Sequence, residues 1–586
     1  MQRLRRDQTG VLLVEILLAV TIFGMVALIV LSSFIYGREA TAVAGDNSRA
    51  SQVATTTVEA LQNIAQNSYS SLSSYTNGAT YYLNTSGTQW AISNTPTTVN
   101  SIFTPSIVFA AGPNSSRQAT VTVNWAENGQ RTGKITTTTY LANWQSATVN
   151  NSVKTGLLVY ANGGTTTSLI TYRQLQPNGL WTSPLPLPSV GAANRVARSV
   201  KLYSAQTGVA KVVLARFFDG TTQYMYGFPW NGTAWGTPQL LASWNSSAAL
   251  DSGNFSGTYL ANGTFIAIYN NNTNQPRFNT YNGSSWSGQG SLAAISGVST
   301  DSPTSMIVQA RPGTNEAMLA LLGENYQTLT SYYSNSAWSA YTTQALTGTS
   351  NGTHNVDFAW SKAAGATQGG LIYTRASTDR TPTLRVFTAD GSGGGSWGTP
   401  MASVNQPAGS IVTSVAIAGQ AGGSANFIAC DKDNATVQKV YCYTATASTV
   451  TVPTNQILAP TTAAGGQQTM DLGFEDAVGN IGLSAYADGS TSAKLKKFTS
   501  ATNTWDANPL AAPVAASTIE KTRLITEPGL NDAMVLQIDS QNNLYSVMYN
   551  GTTGLFYTTP TGYSWTIHNA NGPSIGAKWF DFGWDN

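Results

Sequence analysis

Ala577-Lys-Trp-Phe-Asp-Phe-Gly-Trp-Asp-Asn586 holds the stretch Phe-Asp-Phe-Gly-Trp, and two earlier stretches repeat its pattern: Val356-Asp-Phe-Ala-Trp360 and Met470-Asp-Leu-Gly-Phe474. Apolar residues alternate around one aspartate, the pattern of a short strand. After each earlier copy comes a more apolar strand, GGLIYT from Gly369 or NIGLSAY from Asn480. Nothing follows the terminal copy, whereas GLLVYANGG from Gly156 begins a similar unit without such a strand before it. The terminal segment is therefore expected to complete that first unit.

Working outward, the same unit recurs. Tryptophans in turn-like settings stand at Trp181, Trp235, Trp286, Trp338, Trp397, Trp505 and Trp565, 51 to 60 residues apart except for one double step after Trp397. The missing member is placed near Thr449, which makes about eight units. Each reads as four short strands, the second most apolar (VAKVVLARF from Val209, NDAMVLQID from Asn531) and the third rich in tyrosine. Units of this size can bury their faces only against neighbouring units, so residues 149–586 are predicted to form a large, about eight-bladed β-propeller closed by the C-terminal strand. The fold class expected for the whole chain is mainly β.

The other end of the chain reads differently. A basic leader with Arg3, Arg5 and Arg6 ends at Gly10, and the run from Val11 to Tyr36 is apolar except for Glu15 and long enough to cross a bilayer. A carboxylate there is a functional hypothesis in itself. Glycine, four apolar residues and then an acid resembles the processing signal of type IV prepilins. The resemblance implies cleavage between Gly10 and Val11 by a prepilin peptidase, methylation of the new terminus, and a role for Glu15 in pairing with the terminal amine of a neighbouring pilin subunit. It also implies residence in the inner (cytoplasmic) membrane before assembly and in an extracellular surface filament afterwards. Val43, Ala50, Val53, Ala54, Thr57, Leu61 and Ile64 then share a helical face, so the helix is expected over residues 11–67. Strands at Ala79 to Asn84, Ser106 to Ala111, Ala119 to Trp125 and Gly133 to Trp144 follow, giving a leader (1–10) and a pilin-like module (11–148) with a small sheet over 68–148.

The formal charge is +2, charged residues make up 10%, and no basic stripe is present, so nucleic acid is not an expected partner. Cys430 and Cys442 are the only cysteines; on adjacent strands of the sixth blade of an exported chain they read as a disulfide, with two unpaired core thiols as the alternative. No metal or other cofactor is expected, Asp431 and Asp433 being a weak pair for calcium.

Chemistry is scarce. His354 and His568, the only histidines, fall in different blades. Asp357, Asp471 and Asp581 recur on first strands, which favours inter-blade hydrogen bonds over paired catalytic carboxylates. The repeated tryptophans read as inter-blade packing rather than sugar platforms. Trp230, in YGFPWNGTAW, is the residue expected to be exposed and to touch a ligand. These features point to a minor or tip filament subunit whose propeller binds a surface, glycan or protein without turning it over. The alternatives are a tethered glycosidase or lyase, and a structural cap or priming subunit.

Overall fold

The computed structural model describes residues 5–586 except 73, 87–88, 113–116, 128–130, 142–154, 162–169, 178, 192–194, 246–253, 296–302, 324–326, 346–354, 364, 376–378, 404–409, 421–426, 435–437, 460–468, 478, 559–562 and 570–578. Arg3, Trp144, His354 and the boundary at 148/149 lie outside the described residues. The chain divides into two compact units, Met1–Ser152 and Val153–Asn586.

The first unit is a helix and a sheet. Helix α1 (Arg5–Leu72) runs on past residue 67 and carries two kinds of surface. From Leu13 to Tyr36 its large apolar side chains are all exposed, Phe23 at 76%. Ala50, Ala54, Thr57, Leu61, Ala65 and Leu72 instead bury against an antiparallel sheet of order β2-β1-β3-β4-β5, while Val43 is left 43% exposed. The strands are β1 (Thr80–Ser86), β2 (Gln89–Ser93), β3 (Phe103–Ala111), β4 (Arg117–Glu127) and β5 (Arg131–Leu141). Strict alternation in β3 and β4 puts Phe103, Ile107, Phe109, Ala119, Val121 and Val123 on the buried face. The last turn of α1 has no basic residue of its own. Arg117 supplies the cation from β4, donating to the carbonyls of Leu72 and Tyr75 and, at 2.7 Å, to Asn77 Oδ1. Strand β2, QWAIS, was not anticipated from the sequence, because it is only five residues long and residues 90–93 show no alternation of buried and exposed positions.

The second unit is a β-propeller. Its described residues form eight antiparallel sheets of four or five strands. In seven of them the strands run in chain order; the eighth, blade 1, has the order Phe580–Trp584, Gly156–Ala161, Ile170–Leu175, Leu185–Pro186. The terminal strand thus completes the first blade, with Phe580 opposite Tyr160 and Trp584 opposite Gly156. First strands of consecutive blades lie side by side all the way round, Ile519–Thr526 of blade 8 beside Phe580–Trp584 included, so no ring edge is left open. Second strands are the driest: Lys211–Phe218, Ala317–Leu322 and Ala533–Asp539 are buried at every position, since both of their faces meet neighbouring blades. In blade 6, Cys430 and Cys442 stand directly opposite each other and form a disulfide, their Cα atoms 4.1 Å apart.

Candidate functional site

The recurring Asp-containing strands surround the axis of the ring. In Val356–Trp360, Met470–Phe474 and Phe580–Trp584, three of the five positions have an assignable task. The aspartate accepts a hydrogen bond from the N–H of its own next residue and a second from the first strand of the following blade: Asp357 from Ile417 (2.9 Å), Asp471 from Leu524 (3.0 Å), Asp581 from Leu202 (3.0 Å). Ser256 of blade 3 does the same for Val308 at 3.1 Å. The small residue two positions later lets that next strand come close: a Cβ on Gly583 would lie 2.5 Å from Ser204 Oγ, and one on Gly473 2.8 Å from Thr526 Cγ2. The final aromatic reaches the other way. Trp360 Nε1 donates to Gln309 O of blade 4 at 3.0 Å, and Trp584 Nε1 to Ile525 O of blade 8 at 3.1 Å.

Acceptors stand on blades 1, 3, 5 and 7 and receivers on blades 2, 4, 6 and 8. The propeller is therefore four two-blade repeats, and Asp357, Asp471 and Asp581 are 114 and 110 residues apart, two tryptophan steps each.

The geometry places one side chain per blade at a common level of the central channel: Asp581, Lys201, Ser256, Ile307, Asp357, Ala416, Asp471 and Arg523, all lining a cavity of about 340 Å³. Arg523 donates from one terminal nitrogen to Asp471 (2.9 Å) and from Nε to Asp581 (3.3 Å), while remaining 30% exposed. Burial opposes its charge, but the two carboxylates more than compensate and hold the guanidinium above its ordinary range. Lys201 Nζ donates to Phe255 O at 2.6 Å. Asp357 has its two backbone donors and, among the described residues, no ion pair. Burial pushes its carboxyl up to about 7, against the lowering from Ile417 and Phe358 N–H, with a further push from Asp471. Beyond the ends of the first strands the channel widens to about 600 Å³, lined by Gln206, Thr207, Thr258, Thr526 and Trp584 among others. Lys362 at its rim is occupied, donating to Phe474 O (2.9 Å), Thr526 Oγ1 (2.8 Å) and Asp476 (3.1 Å).

Trp230 requires a correction. It is 5% exposed, not a surface residue, and packs against Tyr172 of blade 1 and Trp235. The cause is its register: it pairs with Trp235 across the outer hairpin, the place Tyr281 holds opposite Trp286 and Phe387 holds opposite Trp397. Phe228 and Pro229, in the places Asn279 and Thr280 hold in the next blade, hid that equivalence. The hairpin tryptophans likewise pack within and between blades, Trp286 over Gly227 of blade 2 and Trp235 edge-on to Tyr172 of blade 1.

His568 is buried at the seam of blades 8 and 1. Its Nδ1 accepts from Arg173 at 3.2 Å and its Nε2–H donates to Ser546 Oγ at 2.7 Å, with Trp181 edge-on at 4.6 Å. Burial, then Arg173, drive its proton affinity well below the usual histidine range. A serine beside a histidine is a nucleophile–base pair only where a substrate reaches it and an acid orients the ring; this one is dry and faces a cation. Asp431 and Asp433 lie fully buried inside blade 6, Asp433 accepting Lys439 N–H at 2.8 Å. Among the described residues no three acidic, histidine or cysteine side chains are arranged to hold a metal. Gly10 and Val11 lie within α1, and Glu15 is exposed on its apolar half.

No family model and no curated protein matches the chain. Among solved structures, it is similar to a lectin from Burkholderia pseudomallei at 13% identity and TM-score 0.44, over 61% of this chain and 98% of that one. The periplasmic gluconolactonase of Pseudomonas aeruginosa matches at 11% and 0.39 over 74% and 99%, and the alpha-L-arabinanase of Penicillium chrysogenum at 10% and 0.31 over 52% and 95%.

Proposed function

We propose that this chain is a minor or tip subunit of a type IV pilus or related filament, and that its propeller is a binding domain for adhesion to a surface, glycan or protein. The observation that carries the reading is the division of α1. Its second half buries one face on a sheet, whereas the half from Leu13 to Tyr36 is apolar and exposed on every side. Such a segment needs lipid first and other helices afterwards. Glu15, five positions after Gly10, is then the carboxylate that offsets the amine of Val11 once the leader is removed. A body of about 430 residues attached to one helix crowds a close-packed shaft, which favours a scarce or terminal position. Binding without turnover fits the channel, where Arg523 ties up Asp471 and Asp581 and so leaves Asp357 without a free second carboxylate beside it, as two-carboxylate hydrolysis would need.

The test is incorporation. Wild-type chain should be recovered in sheared filaments, while Glu15→Ala should be processed normally and stay in the membrane fraction. Recovery of Glu15→Ala in filaments at the wild-type level would refute the assignment.

A further inference from the structure

In the channel ring, each two-blade repeat contributes an acceptor and then the residue just before the receiving N–H: Asp581 and Lys201, Ser256 and Ile307, Asp357 and Ala416, Asp471 and Arg523. Acid and cation occur together in two repeats, and a third has neither. Only the repeat of blades 5 and 6 breaks the match, placing Asp357 beside an alanine. The space an Arg or Lys side chain would occupy is open channel, continuous with a mouth whose walls carry hydroxyls and amides at Ser204, Gln206, Thr207, Thr258 and Thr526.

We propose that the channel binds a sugar bearing a free primary amine, with the ammonium group against Asp357 in the place left by Ala416 and the sugar hydroxyls toward the mouth. An ammonium supplies the charge that Arg523 supplies to Asp471, and its three donors suit a carboxylate that already holds two N–H groups and has lone pairs facing the cavity. A polyhydroxylated body suits the hydroxyls and amides of the mouth, where the one ammonium among the described residues, that of Lys362, is already held by Phe474 O, Asp476 and Thr526, and the combined cavity is of the size that holds small ligands. The displaced titration of Asp357, pushed up to about 7 mainly by burial, is what an unmatched carboxylate in this position shows. The other charged groups of the ring are Asp471, Asp581, Arg523 and Lys201; those that act on Asp357 are Asp471 and Arg523, which pair with one another. The inference rests on the reading of the propeller as a binding domain and is independent of whether α1 enters a filament.

The experiment is calorimetric titration of the full chain in detergent, near neutral pH, with glucosamine, N-acetylglucosamine and Nα-acetyl-lysine amide. Glucosamine should bind roughly tenfold or more tightly than N-acetylglucosamine, whose nitrogen carries no charge. Asp357→Asn should abolish that preference. Ala416→Lys, which tethers an ammonium in the same space, should remove glucosamine binding while leaving the melting temperature at or above that of the wild type; it also decides the matter if Asp357→Asn fails to fold. Equal binding of the two sugars, tighter binding of the lysine amide, or undiminished binding by Ala416→Lys would each overturn the proposal. Retained binding of unaminated glycans in any of these cases would leave the adhesive function standing.

Discussion

Trp584→Ala probes the closure of the ring. The side chain is 2% exposed, sits edge-on to Phe582 at 4.8 Å, and donates from Nε1 to Ile525 O in blade 8, so a single residue of the last strand ties blade 1 to its neighbour. Removing a buried aromatic to alanine destabilises by about 3–5 kcal/mol, and the carbonyl left without its donor adds about 1 kcal/mol. The unit has about 430 residues, so an unfolding entropy of about 2.1 cal/mol/K per residue gives roughly 0.9 kcal/mol/K. A loss of about 4–6 kcal/mol should then lower Tm by about 4–7 °C. Differential scanning calorimetry of the full chain would measure it, with Trp90→Ala, 41% exposed on the sheet of the first unit, expected to move Tm by less than about 1 °C. Equal effects of the two substitutions would refute the closure described above.

Other substitutions separate packing from surface. Trp230→Ala should destabilise by about 3–5 kcal/mol in chemical unfolding, as a core truncation, rather than weaken binding alone. Cys430→Ser with Cys442→Ser should lose roughly 3 kcal/mol, the loop-closure contribution for a separation of 12 residues, and reductant should have no further effect on that variant. His568 predicts an acid-sensitive seam. Its folded proton affinity is depressed, so protonation favours the unfolded chain: its stabilising contribution is present above about pH 6.5 and is lost, by up to about 1.4 kcal/mol per pH unit, as pH falls below that. Asp357 and Glu475, pushed up to about 7, act in the opposite sense, stabilising at acid pH and losing that contribution as pH rises through 7. The difference between wild-type and His568→Gln stability curves isolates the histidine and should slope only below pH 6.5.

Much of the propeller was legible because repetition amplifies weak signals. The tryptophan spacing gave eight units, and the likeness of Phe580–Trp584 to two internal strands gave the closure, since a blade without its inner strand would expose an edge. The two-blade repeat was present in the same letters, as the spacing of Asp357, Asp471 and Asp581 is twice the tryptophan step. Ser256, filling the aspartate's role in blade 3, concealed it. Arg523 and Lys201 escaped notice because a lone cation within a strand looks like a solvent-facing residue until the ring places it beside its neighbours. Trp230 was misread because Phe228 and Pro229 stand where the next blade has Asn279 and Thr280, so the local sequence resembled novelty, whereas cross-strand register decides burial.

The central claim is that α1 is a processed assembly helix carrying a binding propeller, and the mature amino terminus tests it most directly. Mass spectrometry of the chain from its native cell surface should find a protein beginning at Val11, heavier by one methyl group than the unmodified chain. An intact terminus at Met1 on surface-assembled protein would contradict the account.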